Sequence, residues 1–186
     1  MPPEIKYVGW AITAAAAVVY IVMVTVTLPH LAALAGGRAA FDLRPFGYDF
    51  ATAQDLLARL GTDGAAYYEN LQHRLDSMFP LLFCLTLIFW MIAAAQRWQG
   101  HGLPLGSAVL AAILATAVFA NAADLGENVA VSTMLAAGSK ALTPRMAETA
   151  ELFTLAKTFF STIAMLALVV LVVGPWVAPL FKGKKL

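Results

Sequence analysis

Two short stretches carry most of the side chains able to do chemistry. In "Y-E-N-L-Q-H-R-L-D-S", residues 68–77, a helix would put Glu69, His73 and Asp76 on one face at i, i+4 and i+7, with Arg74 next to His73. In "N-A-A-D-L-G-E-N", residues 121–128, Asn121, Asp124 and Asn128 share a helical face and Glu127 lies beside it. His30 follows Pro29, and Glu148, Glu151 and Lys157 precede a long apolar run. Carboxylates joined by a histidine or two can hold a divalent ion or exchange protons, and Glu69, His73, Asp76, Asp124 and Glu127 are the candidate metal ligands. The same acids can instead close ion pairs with Arg74 or Lys157, while Asn121 and Asn128 hydrogen-bond between helices.

Several chemistries are excluded or weakened at once. The Glu-x-x-His pairs of di-iron bundles are absent, and a b-type haem, which needs two axial histidines on facing helices, is weakly supported, since of three histidines only His30 and His73 stand near an apolar run. There is no glycine-rich phosphate loop and no Ser/His/Asp motif in recognisable context. Cys84 is the only cysteine and sits inside an apolar run, which rules out a paired-thiol site within one chain. A net charge of +1 offers no field for nucleic acid. No cofactor is implied, a divalent metal being the alternative.

What must position these residues is a set of apolar helices. The chain is 61% hydrophobic and 12% charged, against about 45–50% and about 25% in ordinary soluble domains. Val8 to Leu28, Met78 to Ala95, Leu105 to Ala123 and Thr158 to Phe181 contain no charge and meet the length of about 20 residues that a helical span requires. Pro175 and Pro179 are expected to shorten the last, giving spans at about 8–28, 78–95, 105–123 and 155–174. The expected fold is all-α, an integral membrane four-helix bundle forming a single domain. "L-A-A-L-A-G", Leu31 to Gly36, looks like a signal-peptide cleavage site, but the preceding apolar run exceeds the usual 7–15 residues, so retention is expected.

Flanking charges orient the spans. Lys6, Arg97, Lys182, Lys184 and Lys185 fall on one side against Glu4 alone, and short basic flanks mark the cytoplasmic side. A bacterial inner membrane with both termini cytoplasmic is expected. The opposite side then holds residues 29–77, too long for a structureless loop and expected to be a partly helical outer lid. "T-A-Q-D-L-L-A-R-L-G" fits a helix capped at Thr52 and stopped at Gly61, with Leu56, Leu57 and Leu60 as an apolar stripe along the membrane surface or over the bundle. Pro45 and Gly47 break any helix in "F-D-L-R-P-F-G-Y-D-F". A second helix should start near Ala65 and run into the second span, kinked by Pro80.

At about 1.5 Å per residue, a span from Leu105 has crossed a ~30 Å hydrocarbon layer by roughly residue 125. Asp124 therefore sits at the boundary, and the helix continues to about residue 135. Alternating topology brings His30, the 69–76 set, the 121–128 set and Lys157 to that same outer edge. "L-G-T-D-G-A-A-Y-Y-E-N-L-Q-H-R-L-D-S-M-F-P", Leu60 to Pro80, together with "D-L-G-E-N", resembles a pattern in four-span bacterial integral membrane proteins. The resemblance implies the four-span fold and no activity.

The leading functional expectation is a binding or accessory protein. Its outer polar cavity would hold a membrane lipid or another hydrophobic small molecule of amphiphilic kind, or dock a partner membrane subunit or a second copy. The ligand-binding candidates are His30, Glu69, His73, Arg74, Asp76, Asn121, Asp124, Glu127, Asn128 and Lys157. A metal-dependent membrane enzyme built on the same cluster is the alternative. Proton or ion translocation comes third, because the apolar runs hold no ionisable group at their middle.

Overall fold

The computed structural model describes residues 2–103 and 105–182, with side chains through 177. Described residues are helical or in turns, with no strand. Helix α1, Pro3–Val22, passes through a π-helical turn, Met23–Thr27, into α2, Leu28–Leu34. After a turn and a single 3₁₀ turn at Phe41–Leu43 comes α3, Phe50–Tyr67. A second π-helical turn, Tyr68–Gln72, leads into α4, His73–Gly100. Helices α5, Ser107–Ala141, and α6, Pro144–Lys182, complete the chain. Four of the resulting helical rods are long and apolar enough to cross a membrane, with mean hydropathies between 1.9 and 2.3 in their most apolar windows.

Local sequence explains the boundaries, with three corrections to the expectations. Asp49, and not Thr52, caps α3: its Oδ1 accepts from the Thr52 backbone N–H at 2.8 Å, and that hydrogen bonding holds the Asp49 carboxyl below its usual value. Gly61 has φ +57, a left-handed conformation that ends the first helical stretch, yet the chain resumes its helix at once and the expected stop is a kink. Helix α6 continues through Pro175 and Pro179 to Lys182. Each proline removes one N–H and leaves the backbone at a helical φ, which a long apolar helix accommodates. The Gly47 amide closes a turn on the Arg44 carbonyl at 2.9 Å after Pro45, so the lid bends where expected.

Helix α4 packs against α1, α5 and α6, and α5 runs along α6. All four chain directions alternate, which puts α2, α3, the end of α5 and the start of α6 at one end of the molecule, hereafter the lid end. Two apolar cores result. One joins Leu31, Phe41, Leu56, Leu57 and Leu60 to Val131, Met134 and Ala150 at the lid end, so the leucine stripe of α3 lies on α5 and α6. Leu31 and Ala35 of the "L-A-A-L-A-G" stretch are buried within it. The other joins Cys84, Leu87, Met91 and Ala94 to Ala117, Ala164 and Leu171.

Small residues set the approach of the rods. A Cβ on Gly9 would meet the Phe89 ring at 2.0 Å, and Trp90 Nε1 donates to Thr13 Oγ1 at 2.8 Å, so α1 and α4 are fitted through Gly9. Gly9→Val should destabilise the fold by about 1–3 kcal/mol, the usual range for overpacking. Gly100→Ala, with nothing within 4 Å, should be close to neutral in the same thermal melts. Equal melting temperatures for the two variants would contradict this packing.

Candidate functional site

On each of α4, α5 and α6 a polar stretch separates the residues of the two cores. Gln72, His73 and Asp76 lie between Tyr68 and Cys84; Asn121, Asp124, Glu127 and Asn128 lie between Ala117 and Val131; Thr154 and Lys157 lie between Ala150 and Ala164. The three stretches meet as a single polar layer.

One half of the layer is built around Pro80. A proline has no N–H, so the Asp76 carbonyl four residues earlier loses its helical partner. Asn128 Nδ2 supplies the missing donor at 3.0 Å. The Asn128 backbone carbonyl faces His73 Nε2 at 2.7 Å; a carbonyl only accepts, so Nε2 carries the hydrogen. His73 Nδ1 is left buried without a partner. Beside it the two π-helical turns touch, with Thr27 Oγ1 donating to Gln72 Oε1 at 2.6 Å.

The other half is electrostatic. Lys157 Nζ forms ion pairs with Glu127 and, at 3.4 Å, with Asp124. Thr154 Oγ1 donates to the Glu127 carboxylate, whose residue is fully buried. From the lid, Asp42 reaches in: Tyr68 donates its hydroxyl to Asp42 Oδ2 at 2.8 Å. Tyr48, its ring tilted against that of Phe41 with centroids 5.0 Å apart, completes the roof. Burial, with Glu127, Asp42 and Glu151 around it, pushes the Tyr48 hydroxyl well above its ordinary value and keeps it protonated.

Of the residues singled out in the sequence, His73, Asp76, Asp124, Glu127, Asn128 and Lys157 meet in this layer, and Asn121 lines a small cavity with Asp124 just beneath it. Glu69, Arg74 and His30 stand outside. The π-helical turn between Glu69 and His73 adds a residue to the local repeat, worth about 100° of rotation, which swings Glu69 to the exposed surface. Arg74 is exposed and makes no ion pair among the described residues, so Lys157 alone meets the acids. His30 is exposed, its ring 4.6 Å from that of Tyr67. Asp42, Tyr48, Tyr68, Gln72, Thr27 and Thr154 join the layer without having been singled out. Helical spacing cannot register Asp42 and Tyr48, which come from the connection between α2 and α3, where the only regular piece is a single 3₁₀ turn.

Space around the layer is uneven. The cavity beneath it, lined by Pro80, Cys84, Asn121, Asp124 and Ser161 among others, has about 10 Å³ of free volume, room for roughly one water. Among the described residues no three His, Cys, Asp or Glu side chains are arranged to hold a metal ion. A larger groove of about 620 Å³ opens beside the layer, between the α3–α4 junction and α5. Ala65, Ala66, Leu135 and Ala136 form its walls, and Ser132 donates to the Glu69 carboxylate at 2.9 Å along it. Ser132 Oγ is 3.5 Å from His73 Nε2, so groove and layer share an edge.

No protein-family model matches the chain, and searches of curated proteins and of solved structures find no match either.

If Asn128 serves to answer Pro80, the two residues must be coupled. Asn128→Leu should cost about 1–3 kcal/mol by orphaning a buried carbonyl. Pro80→Ala restores an N–H to the Asp76 carbonyl, so the double variant should recover part of that loss. Chemical or thermal denaturation of the four proteins gives the cycle, and strict additivity would dismiss the proline-repair account.

Proposed function

We propose that the protein is an integral membrane four-helix bundle of a bacterial inner membrane, with both termini cytoplasmic and the lid end outward. It acts there as a binding or accessory protein for an amine-headed amphiphile. The membrane reading is supported by the surface of the rods, only 17–33% of whose most apolar windows is buried within the chain. Val118, Phe119, Phe159, Leu166, Val169 and Val170 are exposed, and a hydrocarbon solvent is what such a surface suits.

The binding reading rests on one observation, the groove beside the polar layer. Its volume falls in the range of about 300–1,000 Å³ typical of small-molecule sites, and its walls are apolar with a few polar groups. The layer itself is filled by its own side chains, so the occupant belongs in the groove, not among the buried acids. Glu69 is the only charged residue lining it, which favours a cationic or hydrogen-bond-donating head over an anionic one. Extension of the groove along Ala65 and Leu135 towards Gly138 and Lys140 gives an elongated chain a path.

Topology is checked with reporters active only in the cytoplasm. A fusion after Leu186 should be active, and an insertion between Gly61 and Gly64 should be silent; the reverse pattern would overturn the orientation.

Occupancy is checked with a photoactivatable alkylamine in the purified, membrane-reconstituted protein. Labelling should concentrate in residues 65–70 and 132–136. Ala66→Trp, which fills the groove, should cut it by about tenfold or more, a difference of about 1.4 kcal/mol in binding. Uniform labelling of all lipid-facing helices, unchanged in Ala66→Trp, would remove the amphiphile reading and leave partner docking.

A further inference from the structure

The groove beside the polar layer continues past Glu69. Its walls at Ala65 and Leu135 lead into a second cavity of about 380 Å³, lined by Thr62, Ser139 and Lys140 and by the two kink glycines, Gly61 and Gly138. Both glycines take a left-handed φ, +57 and +64, and nothing lies within 4 Å of a Cβ built on either, so the kinks leave this end open. Gln54 Nε2 donates to the Ser139 carbonyl at 3.1 Å and ties α3 to α5 there.

Charge is divided between the two ends. Glu69 is the only charged residue lining the first cavity, and Lys140 is the only one lining the second. Neither forms an ion pair among the described residues, and Ser132 holds the Glu69 carboxylate against the wall, 2.9 and 3.0 Å from its two oxygens. At about 1.5 Å per residue, Ser132 to Lys140 is roughly 12 Å along one wall and Thr62 to Glu69 roughly 10 Å along the other. The two charges are therefore too far apart to satisfy each other.

Direction decides what can lie between them. Helix α5 leaves the polar layer at Asn128, passes Ser132 and ends beyond Lys140, so the Lys140 end is the one farther from the layer. An apolar tail laid from Glu69 along this path would run away from the apolar rods and finish beside an ammonium group. A chain that finishes in an anion suits the path instead.

We propose that the groove takes an elongated zwitterion, its ammonium at Glu69 and its oxyanion at Lys140, joined by an apolar linker lying along Ala65 and Leu135. The proposal rests on the reading of the groove as an amine site and adds a second charge and a length to it. An extended chain advances about 3.5 Å for every three bonds, so the eight bonds from nitrogen to carboxyl carbon in ω-aminooctanoate span roughly 9–10 Å and match the groove. A two-carbon spacing, as in an ethanolamine phosphate head, is too short to reach both ends.

The test is calorimetric titration of the full chain in lipid nanodiscs, at neutral pH and low ionic strength, with water-soluble probes that differ only at one end. ω-Aminooctanoate should bind about three- to fivefold more tightly than ω-aminooctanamide, the gain expected of an ion pair at an exposed lysine, and the gain should shrink in high salt. Lys140→Gln should abolish the difference and leave the affinity for the amide unchanged; Lys140 is exposed, so the fold is not at stake. ω-Aminobutanoate and its amide, too short to span the groove, should bind alike. Glu69→Gln should weaken both long probes together. Equal affinities for the long acid and amide overturn the proposal, as does a preference that survives Lys140→Gln or recurs in the short pair. If the amide still binds and still depends on Glu69, the amine site stands without its second end. Absence of binding by either long probe overturns the proposal and the amine reading together.

Discussion

Everything around the polar layer follows from the need to keep one buried ammonium and its carboxylates satisfied at once. Removing an ion from water costs several kcal/mol even after relaxation, and breaking such a pair by deleting one partner costs about 3–5 kcal/mol. Lys157 and its acids come from different helices, so Glu127 and Asp124 can reach the ammonium only if α5 and α6 keep their register. The long α5–α6 contact secures that register, with Gly126 admitting Phe153 so closely that a Cβ there would meet its ring at 2.5 Å. Thr154, one turn before Lys157, then contributes its hydroxyl to the same carboxylate. The ion pair and the helix packing are therefore one constraint.

Backbone irregularity gathers at the same level. Pro80 removes a donor, the π-helical turns at Met23–Thr27 and Tyr68–Gln72 shift the side-chain register, and each is answered by a side chain of the layer. Asn128 meets the carbonyl that Pro80 leaves, and Thr27 meets Gln72 where the two π turns touch. In an apolar surround an unpaired backbone carbonyl is costly, so an irregular helix and a polar layer favour each other's presence. A regular α4 would have turned Glu69 into the layer and left Ser132 without its partner on the groove wall.

How much of this was legible follows from the range over which each signal acts. Four apolar runs announced four long helices, and Pro80 announced its own missing bond, because both effects are local. The gathering of Asp76, Asp124, Glu127 and Lys157 followed from alternation of chain direction. The π-helical turn was invisible, since 3.6-residue periodicity presumes the regularity that the turn breaks, and Glu69 was misplaced for that reason. Asp42 was missed because its position depends on two turns and on the burial of Phe41, a tertiary contact with no periodic trace. Thr154 and Gln72 look like ordinary helical polar residues until the neighbours they touch are known.

The two cores bury different kinds of side chain. At the lid end the buried set includes Phe41, Tyr68, Leu56, Met134 and Leu31, large groups turned inward as in a domain that faces water. Below the layer, Ala94, Ala117, Ala120 and Ala164 are buried beside Leu87 and Met91, while Phe119, Phe159, Leu166 and Val170 face outward. Close approach through small residues with large apolar groups outside suits a solvent as apolar as the core, where burial of apolar surface no longer drives packing. The change from one pattern to the other occurs at Asp76, Asp124 and Lys157, on three helices at one level. That coincidence supports placing the hydrocarbon boundary at the polar layer.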